Sequence, residues 1–114
     1  MNTAVTLASL AARLDRLESK DAIRDIATAY AIACDEHDMP RLMNLFTVDA
    51  CSDAPNGSMV AKGKAAIQTL FEKTFKIRGP AYHWTHDITI EIDAADPDRG
   101  TGLVLSHAET TPNG

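Results

Sequence analysis

Two short stretches of this chain hold the residues best suited to proton chemistry. One is Ala81 to Asp93, A-Y-H-W-T-H-D-I-T-I-E-I-D, with His83, His86 and Asp87. The other is Asp35-Glu36-His37-Asp38. An imidazole changes charge near neutral pH, and a carboxylate bonded to one ring nitrogen fixes which nitrogen is free to take a proton. Spacing alone pairs none of these groups. Asp35 falls roughly 120° from the centre of its helix's apolar stripe at 100° per residue, so it reaches a cavity only if the helix end lies at its mouth. Otherwise the run 35–38 is an ordinary solvated helix end. Tyr30 is either core or a hydrogen-bond donor. His83 and His86 lie on opposite sides of a regular strand, so His83, His86 and Asp87 could share a metal only across a bulge, and no metal site is expected. His37, in a charged loop, and His107, in the last strand, read as structural.

The stretch 81–93 is predicted to be the longest strand. Tyr82, Trp84, His86, Ile88, Ile90 and Ile92 alternate with His83, Thr85, Asp87, Thr89 and Glu91, the period of a half-buried strand. Upstream, 3–18 is predicted as a helix with a narrow stripe of Leu7, Leu10, Leu14 and Leu17, lying across the domain or against another subunit. A second helix is predicted over 21–35, capped by Ser19 or Asp21, with Ile23, Ile26, Ala27, Tyr30 and Cys34 inward. Asp38 caps a short helix over 39–46, where Leu42, Leu45 and Phe46 pack inward. Residues 48–61 read as a hairpin turning at Pro55-Asn56-Gly57. A third helix is predicted over 64–76, with Ile67, Leu70, Phe71 and Phe75 on one side. Arg78-Gly79-Pro80 ends it. A polar turn over 94–100 leads to a last strand over 101–111, with Leu103 and Leu105 on one face. Helices first and strands later predict α+β with an antiparallel sheet, curved around one long helix to leave a pocket at the open end of a cone.

The chain of 114 residues is the size of one domain, and 45% apolar residues suffice for a core. A net charge of −5 without a basic run argues against nucleic acid as a partner. No stretch is apolar enough to span a membrane, and no secretory signal is visible, so a cytoplasmic location is expected. Cys34 and Cys51 have neither zinc nor redox spacing and read as two buried free thiols rather than a disulfide.

The order of these segments resembles the SnoaL-like domains of the NTF2-like superfamily. The resemblance rests on D-A-I-R-D-I-A-T-A-Y-A-I-A-C-D at 21–35 and D-M-P-R-L-M-N-L-F at 38–46. It continues through V-D-A at 48–50, G-K-A-A-I at 63–67 and H-W-T-H-D-I-T-I-E-I-D at 83–93. It implies an NTF2-like cone, with the N-terminal helices packed against a curved, mostly antiparallel sheet. Superfamily enzymes, among them dehydratases of scytalone and bile acids and a dehydrochlorinase of hexachlorocyclohexane, use an Asp–His dyad at the cone mouth. The resemblance places that dyad at Asp35 and His83. Tyr30 matches a tyrosine, and His86 a second histidine, of the bile acid dehydratase pattern. Asp87 stands where many relatives carry Asn.

The implied activity is a cofactor-independent lyase or isomerase acting on a hydrophobic ring compound such as a steroid or polyketide. Asp35, His83 and Tyr30 would be catalytic, and His86, Trp84, Phe46 and Phe71 would contact substrate. The alternative is a non-catalytic ligand-binding or subunit-assembly domain, as in a ring-hydroxylating dioxygenase β subunit. The family pattern runs on for two further strands, and Asn113-Gly114 reads as a turn whose return strand is not in this sequence. Either the sequence is partial, or the edge so exposed pairs with another subunit, or residues 101–114 fray; a homo-oligomer, a dimer or trimer, is expected.

Overall fold

Thr6 begins the regular structure. In the computed structural model, which describes residues 4–112, its hydroxyl accepts a hydrogen bond from the Ser9 amide at 3.0 Å. The Ser9 hydroxyl accepts in turn from the Thr6 amide at 3.0 Å. This reciprocal cap satisfies two amides that lack helical partners. Helix α1 then runs unbroken over Leu7–Glu36, 30 residues. The two helices expected over 3–18 and 21–35 are therefore one, and neither Ser19 nor Asp21 caps it. Ser19, Lys20 and Asp21 include no proline or glycine, and nothing there forces the backbone out of a helix. What changes at that point is the phase of the apolar residues. At 100° per residue the stripe of Leu7, Leu10, Leu14 and Leu17 points about 160° away from the stripe of Ile23, Ile26, Ala27, Tyr30 and Cys34. The helix continues while its buried side switches.

His37 ends α1 in the left-handed conformation, φ 54°, and its amide bonds back to the Ala33 and Cys34 carbonyls. Helix α2 (Met39–Met43) follows, with the Asp38 side chain accepting from the Arg41 amide at 3.2 Å. It is shorter than the segment 39–46 predicted. Strands β1 (Cys51–Ser52) and β2 (Ala61–Lys62) pair antiparallel. They are the base of the expected hairpin, whose turn includes Gly57 at φ 74°. Helix α3 spans Lys64–Ile77. Strand β3 (Arg78–Ile92) starts directly from its last turn, so Arg78–Pro80 is strand rather than the expected break. A register irregularity between Arg78 and Ala81 accommodates Pro80, which has no amide to give the ladder. Strand β4 (Gly100–Pro112) pairs antiparallel with β3 as a two-stranded ribbon. The expectation for Thr3 and for Asn113-Gly114 lies outside the described residues.

The fold is α+β, with α1 laid against β3. The core sits at one end, where Ala33 and Cys34 of α1 meet Leu42 and Met43 of α2, Ala61 of β2, and Ile67 and Phe71 of α3. Leu42 and Ile67 are the largest fully buried side chains. The thiols are both free, but only Cys34 is buried; Cys51 is exposed, against expectation. The molecule is elongated, 67 × 27 × 26 Å.

Because Leu42 is 0% exposed, truncation leaves a void that this small core cannot close. Leu42→Ala should lower the unfolding free energy by about 2–5 kcal/mol in urea melts. Val48→Ala, at a side chain 85% exposed, should shift it by less than about 0.5 kcal/mol. Equal losses at the two positions would contradict this location of the core.

Candidate active site

One extra residue in β3 decides which side chains face α1. Thr85 pairs with Ser106 and Asp87 with Leu105, so His86 is an unpaired bulge. A bulge reverses the sense of alternation beyond it. Before it, the odd positions His83 and Thr85 face inward; after it, the even positions Ile88 and Ile90 do. A regular strand would have put Tyr82, Trp84, Ile88 and Ile90 on one side. Instead Tyr82 and Trp84 lie side by side on the outer face, rings tilted with centroids 6.3 Å apart, and the His107 ring lies 5.4 Å from Trp84. On β4, Leu103 and Leu105 share that outer face, while Gly102, Val104 and Ser106 line the inner one opposite Ile90, Ile88 and Thr85.

The inner face and α1 line an open cavity of about 440 Å³. Helix α1 supplies Ile23, Ile26, Ala27, Tyr30 and Ala31; the segment after α2 supplies Leu45 and Phe46. The ribbon contributes His83, Thr85, Ile88, Gly102, Val104 and Ser106. Among the described residues no Asp, Glu, Lys or Arg lies in this wall. Its polar groups are the Tyr30 phenol, the His83 ring and the hydroxyls of Thr85 and Ser106.

Asp35 sits behind His83 rather than in the wall. Its Oδ1 lies 2.5 Å from His83 Nδ1, and its Oδ2 accepts from the His83 amide at 3.1 Å. Both side chains are half-buried, 22% exposed for His83 and 26% for Asp35. A carboxylate near a helix C-terminus faces the negative end of the helix dipole, and two donors from β3 offset that. A carboxylate can only accept, so in the neutral ring the proton belongs on Nδ1 and Nε2 keeps its lone pair.

Tyr30 packs edge-on to Phe71, centroids 6.4 Å apart. Burial is the main cause that pushes its phenol well above the ordinary tyrosine range, with the Cys34 thiol adding to it and Arg78 opposing. Burial likewise raises the Cys34 thiol. Tyr30 thus stays a donor at any working pH.

Of the residues singled out in the sequence, His83, Tyr30 and Phe46 line this cavity, and Asp35 holds His83 from behind. Phe71 is a core residue, 6% exposed, and touches a separate hollow of about 70 Å³ behind Tyr30 and His83. Trp84 is on the opposite face of the sheet, and His86 is the exposed bulge residue; neither is in the cavity wall. Asp87 is exposed. His37 stacks on Phe75, centroids 4.4 Å apart and 3° from parallel. His107 bonds to Glu109 at 3.3 Å. Among the described residues no three His, Cys, Asp or Glu side chains gather as metal ligands. Thr85 and Ser106 were missed, because their inward placement depends on the bulge. The signal was present: His83 and Ile88 are an odd number of residues apart and can share a face only if one residue between them is extra.

Residues 15–113 match the SnoaL-like domain family. The chain belongs to that family. Its fold is the NTF2-like cone seen in a scytalone dehydratase-like protein of Novosphingobium aromaticivorans, with a TM-score of 0.75 at 22% identity over 88% of this chain and 65% of that one. A type 2 hexachlorocyclohexane dehydrochlorinase gives the same TM-score of 0.75 at 22% identity, over 88% of this chain and 66% of that one. The type 3 dehydrochlorinase of Novosphingobium barchaimii gives 0.67 at 26% identity, over 82% of this chain and 64% of that one. The SnoaL-like chain therefore spans just under two thirds of each of these structures. No curated protein matches it. No helix among its described residues is long and apolar enough to cross a membrane.

The raised Tyr30 value has a stability consequence. Unfolded, the phenol ionises near its ordinary 10.0; folded, it holds its proton beyond that. Its contribution is complete below pH 10 and is lost as pH rises through the folded value. Tyr30→Phe should remove a phenolate absorbance step lying above the usual range and flatten the fall in stability above pH 10. An unchanged alkaline titration would contradict the raised Tyr30 phenol.

Proposed function

We propose that this SnoaL-like protein is a lyase or isomerase that abstracts a proton from a hydrophobic, uncharged ring compound, with His83 as base. The observation that carries the reading is the Asp35–His83 hydrogen bond at the wall of an apolar cavity. In an elimination, His83 Nε2 takes a proton from carbon. The C–H electron pair becomes the new double bond, and the neighbouring C–O or C–halogen bond breaks. A departing hydroxyl needs a proton, which the imidazolium supplies while Tyr30 donates it a hydrogen bond; a halide leaves as the anion. In an isomerisation the same proton returns at another carbon. Asp35 holds the ring and balances the charge it gains. Neither outcome needs an oxidant or an added cofactor.

The absence of charged groups from the cavity wall favours neutral, apolar substrates, for which steroid and polyketide rings are the right chemical class. Phe46 and the aliphatic side chains of α1 would hold the ring. The relatives' names, a dehydratase and dehydrochlorinases, are eliminations of water and of hydrogen chloride. A binding or assembly role remains the second reading, and the exposed outer face with Tyr82, Trp84, Leu103 and Leu105 favours it.

Turnover screening should start with scytalone and hexachlorocyclohexane and extend to hydroxysteroids. His83→Asn and Asp35→Asn should each lower kcat by about 10²–10⁴-fold, and the double variant by little more, because the two act as a unit. Ligand binding unchanged in both variants, with no turnover of any substrate, would replace the enzyme reading with the binding one.

A further inference from the structure

The N-terminal half of α1 is apolar on the side that the described residues leave uncovered. Ala12, Asp15, Arg16 and Lys20 face the end of β3 and the turn after it, where they share a surface hollow with residues 90–94 and Pro97. Leu7, Leu10, Leu14 and Leu17 lie on the opposite side. They are 87%, 47%, 56% and 64% exposed. Four leucines at intervals of three, four and three are the a and d positions of two heptads, the seam of a coiled coil rather than the broader stripe of a helix packed on a sheet. Asp21 and Arg24 occupy the next a and d positions and close the seam.

We propose that this stripe is the contact through which two copies of the chain pair, as a short parallel two-stranded coiled coil. The flanking charges select both the partner and the direction. Arg13 stands at a g position and Glu18 at the following e position. In a parallel, in-register pair, g of one helix meets the next e of the other, so Arg13 faces Glu18 of the second copy, twice by symmetry. An antiparallel pair would instead bring the two Arg13 guanidiniums together across the two-fold axis. The opposed faces of α1 remove the steric objection: each domain body hangs on the far side of its helix from the seam. Two heptads are short for an isolated coiled coil. Here the second half of the same helix is held against β3, and Thr6 with Ser9 caps the start, so the seam helix is nucleated before the copies meet.

Light scattering on the full chain over a range of concentrations should give twice the 12.3 kDa chain mass. Leu14→Glu should reduce it to the single-chain mass with an unchanged far-UV spectrum. Arg13→Glu and Glu18→Arg should each weaken the dimer, and the double exchange should restore it. In a Cys51→Ala background, Leu7→Cys should oxidise to a covalent dimer, because residue 7 meets residue 7 only in the parallel register. A single-chain mass at every concentration would overturn the proposal. So would an oligomer indifferent to Leu14→Glu and to the charge exchange, and so would an oligomer in which Leu7→Cys fails to cross-link.

Discussion

The Asp35 carboxylate ties the end of the longest helix to the beginning of the longest strand. Its two oxygens take the His83 amide and the His83 ring across 48 positions of sequence. The same contact does two things. It registers β3 against α1, so that Tyr30, five residues back along the helix, and His83 open onto one cavity. It also sets the tautomer of the imidazole. A carboxylate with one donor could rotate; with the backbone amide on one oxygen, the other is aimed at the ring. Positioning and proton chemistry are therefore one constraint.

The rest of the cavity depends on a single unpaired residue. Without the bulge at His86, an inward His83 would force Ile88 and Ile90 outward and bring Thr89 and Glu91 against α1. The strand would then be polar where it must cover the helix. The bulge lets a strand present polar, chemistry-bearing side chains at one end and aliphatic ones at the other, on one face.

That is also where sequence reading reached its limit. The order of elements, the antiparallel pairing and the inward stripe of Ile23, Ile26, Ala27 and Tyr30 were all legible, because each follows from local periodicity. The resemblance to SnoaL-like domains brought Asp35 and His83 forward as a pair, which helix geometry alone did not, since Asp35 lies well off its own stripe. What was not legible was anything set by a change of phase. The alternation of 82–92 looked regular because bulky residues happen to occupy every even position, so Trp84 was grouped with Ile88 though they face opposite ways. The switch of apolar side at 19–21 looked like a chain break because periodicity reports which side is covered, not whether the backbone continues. Backbone conformation had to be judged separately, and nothing in Ser19-Lys20-Asp21 disfavours a helix.

If Asp35 holds the His83 ring with its proton on Nδ1, Nε2 is left as the base. Long-range nitrogen–proton NMR of the ring, assigned by comparison with His83→Gln, reads the tautomer directly at a pH where the ring is neutral. His83 should be found in the Nδ1–H form. A neutral His83 carrying its proton on Nε2 would contradict it, because the nitrogen left free would then be the one against the Asp35 carboxylate.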